Sequence, residues 1–301
     1  MNALATYRGL LTNRPLTLLL GGEFVSAIGD WLYYVAILIV IYEVTADPLV
    51  LGLFGAVRII PYVFLSIPAG IAADRFDRRL VLLATDVMRG LCMLVMAVLV
   101  ATNGPVLAIV GLSILAACGS TFFYPAIGAY IPNLVRDERE LGPANGLGAS
   151  LDNLGFIVGP ALGGLLVATG GAVFAFLINA ATFAVIAAIL WRLPPSKNLK
   201  PPELAEPDAS DDAATGAGES APHPSPAARM PRGPLAGILL VAFALYAFDG
   251  GVGILTVILA FDILGLGEAA TGYLNAAIGF GGILGGVVRV SSFCAAASGC
   301  R

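Results

Sequence analysis

The sequence has few charged residues and few of the side chains that build enzyme and metal sites. Only 12% of its 301 residues are charged, against about 25% in soluble domains. The single histidine, His223, lies in a stretch rich in proline and alanine, and the four cysteines form no CxxC pair. The motifs HExxH, GxSxG and GxxxxGK[ST] are missing. We therefore expect neither an enzyme nor an ATP-driven pump, and no cofactor, metal or nucleic-acid partner.

Apolar residues take the place of the missing charge. They make up 58% of the chain, and the mean hydropathy is +0.90, which is too high for a soluble fold that needs polar surface. A membrane-spanning helix needs about 20 apolar residues. The sequence predicts eight such helices, at approximately Leu16–Tyr42, Leu49–Ala73, Leu80–Ala101, Pro105–Ile131, Pro143–Ala168, Ala172–Trp191, Leu235–Phe261 and Ala270–Val290.

Lysine and arginine occur in every second connection between these helices. They are Arg8 and Arg14, then Arg75, Arg78 and Arg79, then Arg136 and Arg139, then Arg192, Lys197, Lys200, Arg229 and Arg232. Positive residues mark the cytoplasmic side of a membrane protein. The pattern predicts a multi-pass protein of the cell membrane with a cytoplasmic N-terminus.

The sequence between the sixth and seventh predicted helices has a different composition. Residues 193–234 are rich in Pro, Ala, Ser, Asp and Glu, which is typical of a disordered linker. The predicted domains are therefore a six-helix transmembrane bundle at 1–192, a cytoplasmic linker at 193–234 and the first two helices of a second bundle at 235–290. Residues 291–301 are out of character with the rest, and we expect an aberrant tail after a C-terminal truncation.

A weak internal repeat supports two related bundles. Asp30 lies within the first predicted helix and precedes Tyr42-Glu43, and Asp249 lies within the seventh and precedes Phe261-Asp262 by the same distance. Repeats of this kind are common in secondary transporters, whose sites lie at the interface between the repeats.

A dense cluster of charge, Gly70–Arg79, separates the second and third predicted helices. Its arginines could simply hold the loop in the cytoplasm. Asp74 is acidic and does not help to hold the loop in the cytoplasm. A carboxylate at a helix end can instead pair with an arginine or with a helix N-terminus. The alternative is a conformational latch made of Gly70, Asp74, Arg75, Arg78 and Arg79.

The fifth predicted helix carries an unusual series of small residues: Gly146, Gly155, Gly159, Pro160, Gly163 and Gly164. Glycines four residues apart lie on one helix face and permit close backbone contact, while a proline favours a kink. The alternative is a generic packing face of the kind found in many membrane helices.

Ionisable groups at membrane depth cost about 2.5–3.5 kcal/mol each, so each suggests a function. The candidates are Glu23, Asp30, Arg58, Asp152 and Asp249, and we expect Asp30, Asp249, Arg58 and Glu23 to line a cavity for substrate or protons. The alternative is a structural pair in which Arg58 neutralises Asp30 or Glu23. Asp86 and Arg89, one turn apart, are expected to form a pair at the membrane interface.

The pattern Gly70-x3-Asp74-Arg75-x2-Arg78-Arg79 resembles the loop signature of the major facilitator superfamily, and Gly146–Gly164 resembles the fifth-helix signature of its antiporter branch. Gly29-Asp30-Trp31 is most similar to the branch of macrolide and siderophore exporters. The resemblance implies an interdomain role for the latch residues. This sequence differs from many proton-coupled members of the superfamily in its fourth predicted helix, which has no arginine.

The expected fold is therefore an all-α polytopic membrane protein, with a six-helix bundle and the first two helices of a second one. The resemblance implies a secondary active transporter that exports a small amphiphilic or drug-like molecule by alternating access, coupled to a proton gradient. A non-transporting fragment of such a transporter is the main alternative, and a membrane-embedded enzyme is a weaker one.

Overall fold

The computed structural model describes residues 9–196, 232–267, 270–275, 277–278 and 281, and these are almost entirely helical. A short 3-10 turn, Glu138–Glu140, precedes the fifth helix, and a π-helical turn, Leu259–Ile263, continues the sixth. The main helices are α1 (Arg14–Thr45), α2 (Pro48–Arg75), α3 (Arg78–Ala101), α4 (Val106–Leu134), α5 (Leu141–Arg192) and α6 (Arg232–Ile258). The predicted all-α class is confirmed.

Aspartate caps fix the starts of α2 and α3. The Asp47 carboxylate accepts a hydrogen bond from the Leu49 amide at 2.8 Å, and the Asp77 carboxylate accepts one from the Arg79 amide at 3.0 Å. Such caps satisfy amides that have no partner in the first turn of a helix. Helix α2 extends to Arg75 and α3 begins at Arg78, so only Phe76 and Asp77 of the charged segment lie between the two helices.

Helices α1 to α5 are each long and apolar enough to cross a membrane. Helix α5 has 52 residues, but Gly171 interrupts it with φ 77 and ψ 165, a backbone conformation that glycine adopts without steric cost. We call residues 141–170 the first arm of α5 and residues 172–192 its second arm. Each arm exceeds the length of about 20 residues that a span requires.

The two arms of α5 run in opposite directions on either side of α1. Along the first arm, Gly155 lies against Ala27 and Gly163 against Val35, so this arm is parallel to α1. Along the second arm the order reverses, with Ile186 against Gly22 and Asn179 against Gly29. The predicted division into fifth and sixth helices is thus correct, although only one residue of their connection leaves the helical conformation.

Helix α1 is the centre of the packing, and its residues 35–42 are all buried. It packs mainly on α5, while α3 packs on both α4 and α5, and α2 packs on α4. Helix α2 is the least covered of the five, and its Val63, Phe64 and Ile67 are more than half exposed. Apolar exposure of this kind suits a helix in contact with lipid.

Residues 232–252, which make up most of α6, belong to a separate compact unit. This helix starts at Arg232, three residues before its predicted start. The predicted linker lies largely outside the described residues, as do the tail at 291–301 and much of the eighth predicted helix. The described residues 270–275 of that helix are helical.

Candidate functional site

Four polar side chains from three helices meet beside α1. Arg89 of α3 donates hydrogen bonds to Asp86, one turn earlier, and to the Asp30 carboxylate of α1 at 3.4 Å. Asn179 of the second α5 arm donates to the other Asp30 oxygen, also at 3.4 Å. We call Asp30, Asp86, Arg89 and Asn179 the central charge cluster. One arginine therefore serves two carboxylates.

The cluster is sealed at one end and open at the other. Asp86 has 0% of its surface exposed and Arg89 has 3%, whereas 40% of the Asp30 side chain is exposed. The predicted Asp86–Arg89 pair is confirmed, but it is buried among the helices instead of exposed at an interface. The spacing i,i+3 is the same at an interface and inside a bundle, and here the neighbouring helices bury the pair.

Aromatic rings hold the Arg89 guanidinium on both faces. The ring centroids of Phe123 and Phe183 lie 4.4 Å and 4.5 Å from its central carbon, which is well placed for cation–π attraction. Gly119 of α4 leaves room for the stem, since a Cβ atom there would lie 3.0 Å from the Arg89 Cγ. The sequence does not predict these contacts, because no local pattern links residues on α3, α4 and α5.

Arg58 of α2 lies above two tyrosine rings of α1. Its guanidinium carbon is 4.9 Å from the ring centroid of Tyr34 and 5.2 Å from that of Tyr33. The Tyr33 hydroxyl donates to Ser113 at 2.9 Å, which fixes that ring. Within the described part of the chain Arg58 forms no direct ion pair with Asp30 or Glu23. Its charge acts on Asp30 only through space.

The remaining acidic candidates occupy different surroundings. Glu23 is half-buried, two helical turns before Asp30, and one of its oxygens is buried with no hydrogen-bond partner among the described residues. Asp152 is exposed on the first arm of α5. Asp249 lies in α6, but its side chain is outside the described part, so its place in a cavity stays a prediction.

The glycines of the first α5 arm face α1. A Cβ atom at Gly155 would lie 3.2 Å from the Ala27 Cβ, one at Gly163 would lie 3.3 Å from a Cα atom of α1, and one at Gly159 would overlap Trp31. We call Gly155, Gly159 and Gly163 the glycine stripe. The predicted close backbone contact is confirmed, and α1 is the helix that makes it.

The other small residues of that series lie outside the glycine stripe. Gly146 is exposed, and Pro160 is buried within the arm, which stays helical past it to Gly170. Gly164 faces Gly272, where an added Cβ atom would lie 2.8 Å from the Gly164 carbonyl carbon. The segment that contains Gly272 therefore crosses the first arm backbone to backbone.

The ends of the two repeat-related helices also touch. The Tyr42 hydroxyl at the end of α1 donates to the Asp262 carboxylate at 2.5 Å, and the Tyr42 ring lies 5.3 Å from the Phe261 ring. Phe261 and Asp262 belong to the π-helical turn after α6, and such turns occur frequently at functional sites.

The predicted latch residues lie in different surroundings, and their joint role stays a prediction. Asp74 and Arg75 are exposed, and neither forms an ion pair within the described part of the chain. A Cβ atom at Gly70 would meet nothing within 4 Å, so no described helix approaches there. Arg79 instead donates to the Trp191 carbonyl at 3.0 Å, at the end of α5.

The sequence from residue 19 to residue 296 matches the family model of the Major Facilitator Superfamily. The chain belongs to the major facilitator superfamily. The resemblance drawn from the loop and fifth-helix signatures is confirmed.

Three relatives in this superfamily illustrate the similarity. The uncharacterized MFS-type transporter YfiS of Bacillus subtilis is 31% identical over 188 residues, which is 62% of this chain and 42% of YfiS. Macrolide efflux protein A of Streptococcus pyogenes is 27% identical over 58% of this chain and 43% of its own length. The putative bacilysin exporter BacE of Bacillus subtilis is 33% identical with the same two coverages. The chain spans about two fifths of the length of these relatives.

In this superfamily member, the loop between α2 and α3 is fastened to the end of α5. The Asp77 carboxylate accepts hydrogen bonds from the Ser196 amide at 3.1 Å and the Ser196 hydroxyl at 2.8 Å. The Ser196 hydroxyl in turn accepts one from the Arg78 amide at 2.9 Å. We call these contacts among Asp77, Arg78 and Ser196 the loop clasp. Burial opposes ionisation of Asp77, but the hydrogen bonds from Ser196 and Arg79 and the Arg79 charge hold its pKa below the ordinary value.

Replacing Asp77 with asparagine should loosen the end of α5, because the Ser196 amide and hydroxyl then lose a charged acceptor. We expect faster amide hydrogen exchange at residues 191–193 and at Ser196, with no change along α4. Asp137→Asn is a matched control, since Asp137 caps only its own exposed loop through the Arg139 amide. Equal exchange in the two variants would contradict the loop clasp.

The loop clasp should also weaken in acid. Because the folded-state pKa of Asp77 is lowered, its stabilising effect is complete above the ordinary aspartate pKa of about 3.9 and is lost as the pH falls through the lower folded value. After correction for intrinsic rates, protection of the amides of residues 191–193 and Ser196 should stay constant down to about pH 4 and fall below it. The Asp77→Asn variant should show no such step.

Proposed function

We propose that this chain acts in a secondary active exporter of small amphiphilic molecules, which works by alternating access and is driven by a proton gradient. Membership of the superfamily supports transport, and relatives named for efflux or export support its direction. The charge pattern of the connections supports a cell-membrane protein with its N-terminus in the cytoplasm.

The observation that carries this proposal is the central charge cluster. A fully buried arginine and two carboxylates at membrane depth are expensive, and such groups in membrane helices mark ion and substrate pathways. Here one of the carboxylates, Asp30, reaches open space while the rest of the cluster is buried. A group that is both ion-paired and accessible can exchange its partner without opening the bundle.

Arg89 offers a route for proton coupling even though α4 has no arginine. Its guanidinium is shared between Asp86 and Asp30. When Asp30 takes up a proton on a carboxylate oxygen, the charge that attracts Arg89 disappears, and the guanidinium can pair with Asp86 alone. Release of the proton restores the shared arrangement. In this proposal Asp30 carries the proton, and Arg89 is a positioning residue.

The other predicted motifs support the moving parts of the transporter. The glycine stripe packs α1 and the first arm of α5 so closely that they would move as one body. The Arg79 guanidinium is engaged at the end of α5, whereas Asp74 and Arg75 are exposed and can meet a second bundle. We propose that Asp249 contributes to the cavity from α6.

Proton movement tests this function even when the substrate is unidentified. The chain is reconstituted in liposomes that contain a pH-sensitive dye, and cationic, anionic, neutral and zwitterionic amphiphiles are added in turn. At least one class should start a proton flux, and Asp30→Asn should abolish it because the amide cannot carry a proton. Asp152→Asn, which removes an exposed acid from the first arm of α5, is the control and should keep the flux.

The alternative, a chain that does not transport, makes the opposite prediction for the same assay. No flux above protein-free liposomes with any amphiphile would favour it. Equal flux from the wild type and the Asp30→Asn variant would leave transport standing but would remove Asp30 as the proton carrier.

A further inference from the structure

Two groups of opposite charge are only partly compensated, and they lie about one turn apart along α1. Asp30 shares Arg89 with Asp86, and its contacts to Arg89 and Asn179 are both long, at 3.4 Å. Arg58 lies over the rings of Tyr33 and Tyr34, which follow Asp30 by three and four residues. Residues three or four apart occupy the same helix face.

Asp30 and Arg58 attract each other through space but make no direct contact. They form no ion pair in the structure, and the guanidinium of Arg58 is instead stacked on Tyr34 and Tyr33. The hydrogen bond from Tyr33 to Ser113 on α4 keeps the first of these rings in place. Arg58 is thus held near an acid, without contact, with its hydrogen-bond donors available.

An apolar surface accompanies the two charges. The Trp31 ring lies edge-on to Phe156 at 4.8 Å and to Tyr34 at 5.8 Å. Tyr34 joins this aromatic group to Arg58, which is 4.9 Å away. Binding pockets for small molecules typically combine such aromatic walls with a few placed polar groups.

We infer that the transported molecule is a zwitterionic amphiphile, whose carboxylate binds Arg58 and whose ammonium group binds the exposed edge of Asp30. This inference rests on the proposed transport function and names its substrate class. An arginine fork matches a carboxylate in two hydrogen bonds. The apolar part of the molecule lies against Trp31 and Phe156.

Molecules with one charge fit the same groups less well. A monocation meets Asp30 but is repelled by Arg58, and a monoanion meets Arg58 but is repelled by Asp30. Like charges brought together in a partly buried site cost affinity. A zwitterion satisfies both groups at once.

The test compares three probes that share one apolar group and differ chiefly in charge: 3,3-diphenylalanine, its carboxamide and its N-acetyl derivative. At about pH 6 these are respectively a zwitterion, a cation and an anion. The chain has two tryptophans, so a Trp191→Phe background leaves Trp31 as the reporter beside the site. Binding is followed by Trp31 emission during titration of the purified full chain.

We expect the zwitterion to bind about tenfold more tightly than either capped probe, which is the size of one moderate polar contact. Arg58→Gln should remove its advantage over the carboxamide, and Asp30→Asn should remove its advantage over the N-acetyl derivative. Arg58→Lys, which keeps the positive charge, should retain part of the zwitterion's advantage over the carboxamide. Arg136→Gln, at an exposed arginine bound to Thr12, is the control and should change nothing.

The outcomes separate this inference from the transport proposal. The inference is overturned if the carboxamide or the N-acetyl derivative binds as tightly as the zwitterion, if no probe binds, or if a folded Arg58→Gln variant keeps the full preference. Proton flux with a cationic or neutral amphiphile, together with any of those results, would preserve the exporter and remove its zwitterionic substrate. Size-exclusion profiles show whether each variant is folded.

Discussion

Replacing Arg89 with methionine is expected to lower the free energy of unfolding by about 3–5 kcal/mol, the usual cost of removing one partner of a buried ion pair. Asp86 has no exposed surface and would lose the group that compensates its charge. Asp30 would lose the same partner, although water can reach it. The loss should exceed that from removing any exposed arginine of the chain.

Unfolding by titration with a denaturing detergent, followed by helical circular dichroism, measures this change. The decisive control is the double variant Asp86→Leu/Arg89→Met, which removes the uncompensated charge together with its partner. It should recover much of the lost stability, since apolar replacement of a whole buried pair is often neutral. A double variant no more stable than the single one would show that Arg89 acts through its packing between Phe123 and Phe183.

The second large effect is expected in the glycine stripe. Gly159→Leu should destabilise the bundle by about 1–3 kcal/mol or more, the cost of overpacking a closely packed contact. A side chain at Gly159 meets the Cβ end of Trp31, and Trp31 cannot easily shift because its ring packs on Phe156 at 4.8 Å. Helix α1 would therefore have to move away from the first arm of α5.

A matched substitution on α4 separates packing from the loss of a glycine. A Cβ atom at Gly128 would meet nothing within 4 Å, so Gly128→Leu adds the same side chain to a membrane helix without a collision. Both variants are compared with the wild type by the same detergent titration, and by Trp31 emission. Equal destabilisation of the two would mean that the close approach to α1 does not control stability.

The helices and the glycine stripe can be predicted because their signals are local. A run of apolar residues makes a helix in a membrane whatever its neighbours are, since the backbone must satisfy its own hydrogen bonds there. Glycines four apart lie on one face by the geometry of the helix. The position of the turn at Gly171 is also predicted, to within two residues, by the gap between the fifth and sixth apolar runs.

The contents of the candidate site cannot be predicted in the same way. Asp86 and Arg89 have the same spacing at an interface and in a core, and only the positions of Gly119, Phe123 and Phe183 put them in the core. The sequence suggests a partner for Asp30 on α2, but that partner is Arg89 on α3. The loop clasp joins Asp77 to Ser196 across 119 positions, and no periodic pattern reports such a contact.

The sequence by itself determined that this chain crosses the membrane many times as helices and which superfamily it belongs to. Only the tertiary structure decided how the charges within the helices are paired. Apolar periodicity specifies the buried face of each helix, but not which helix covers it. Ion pairs between helices depend on that choice, and here it brings Arg89 to Asp30 and leaves Arg58 over two tyrosines.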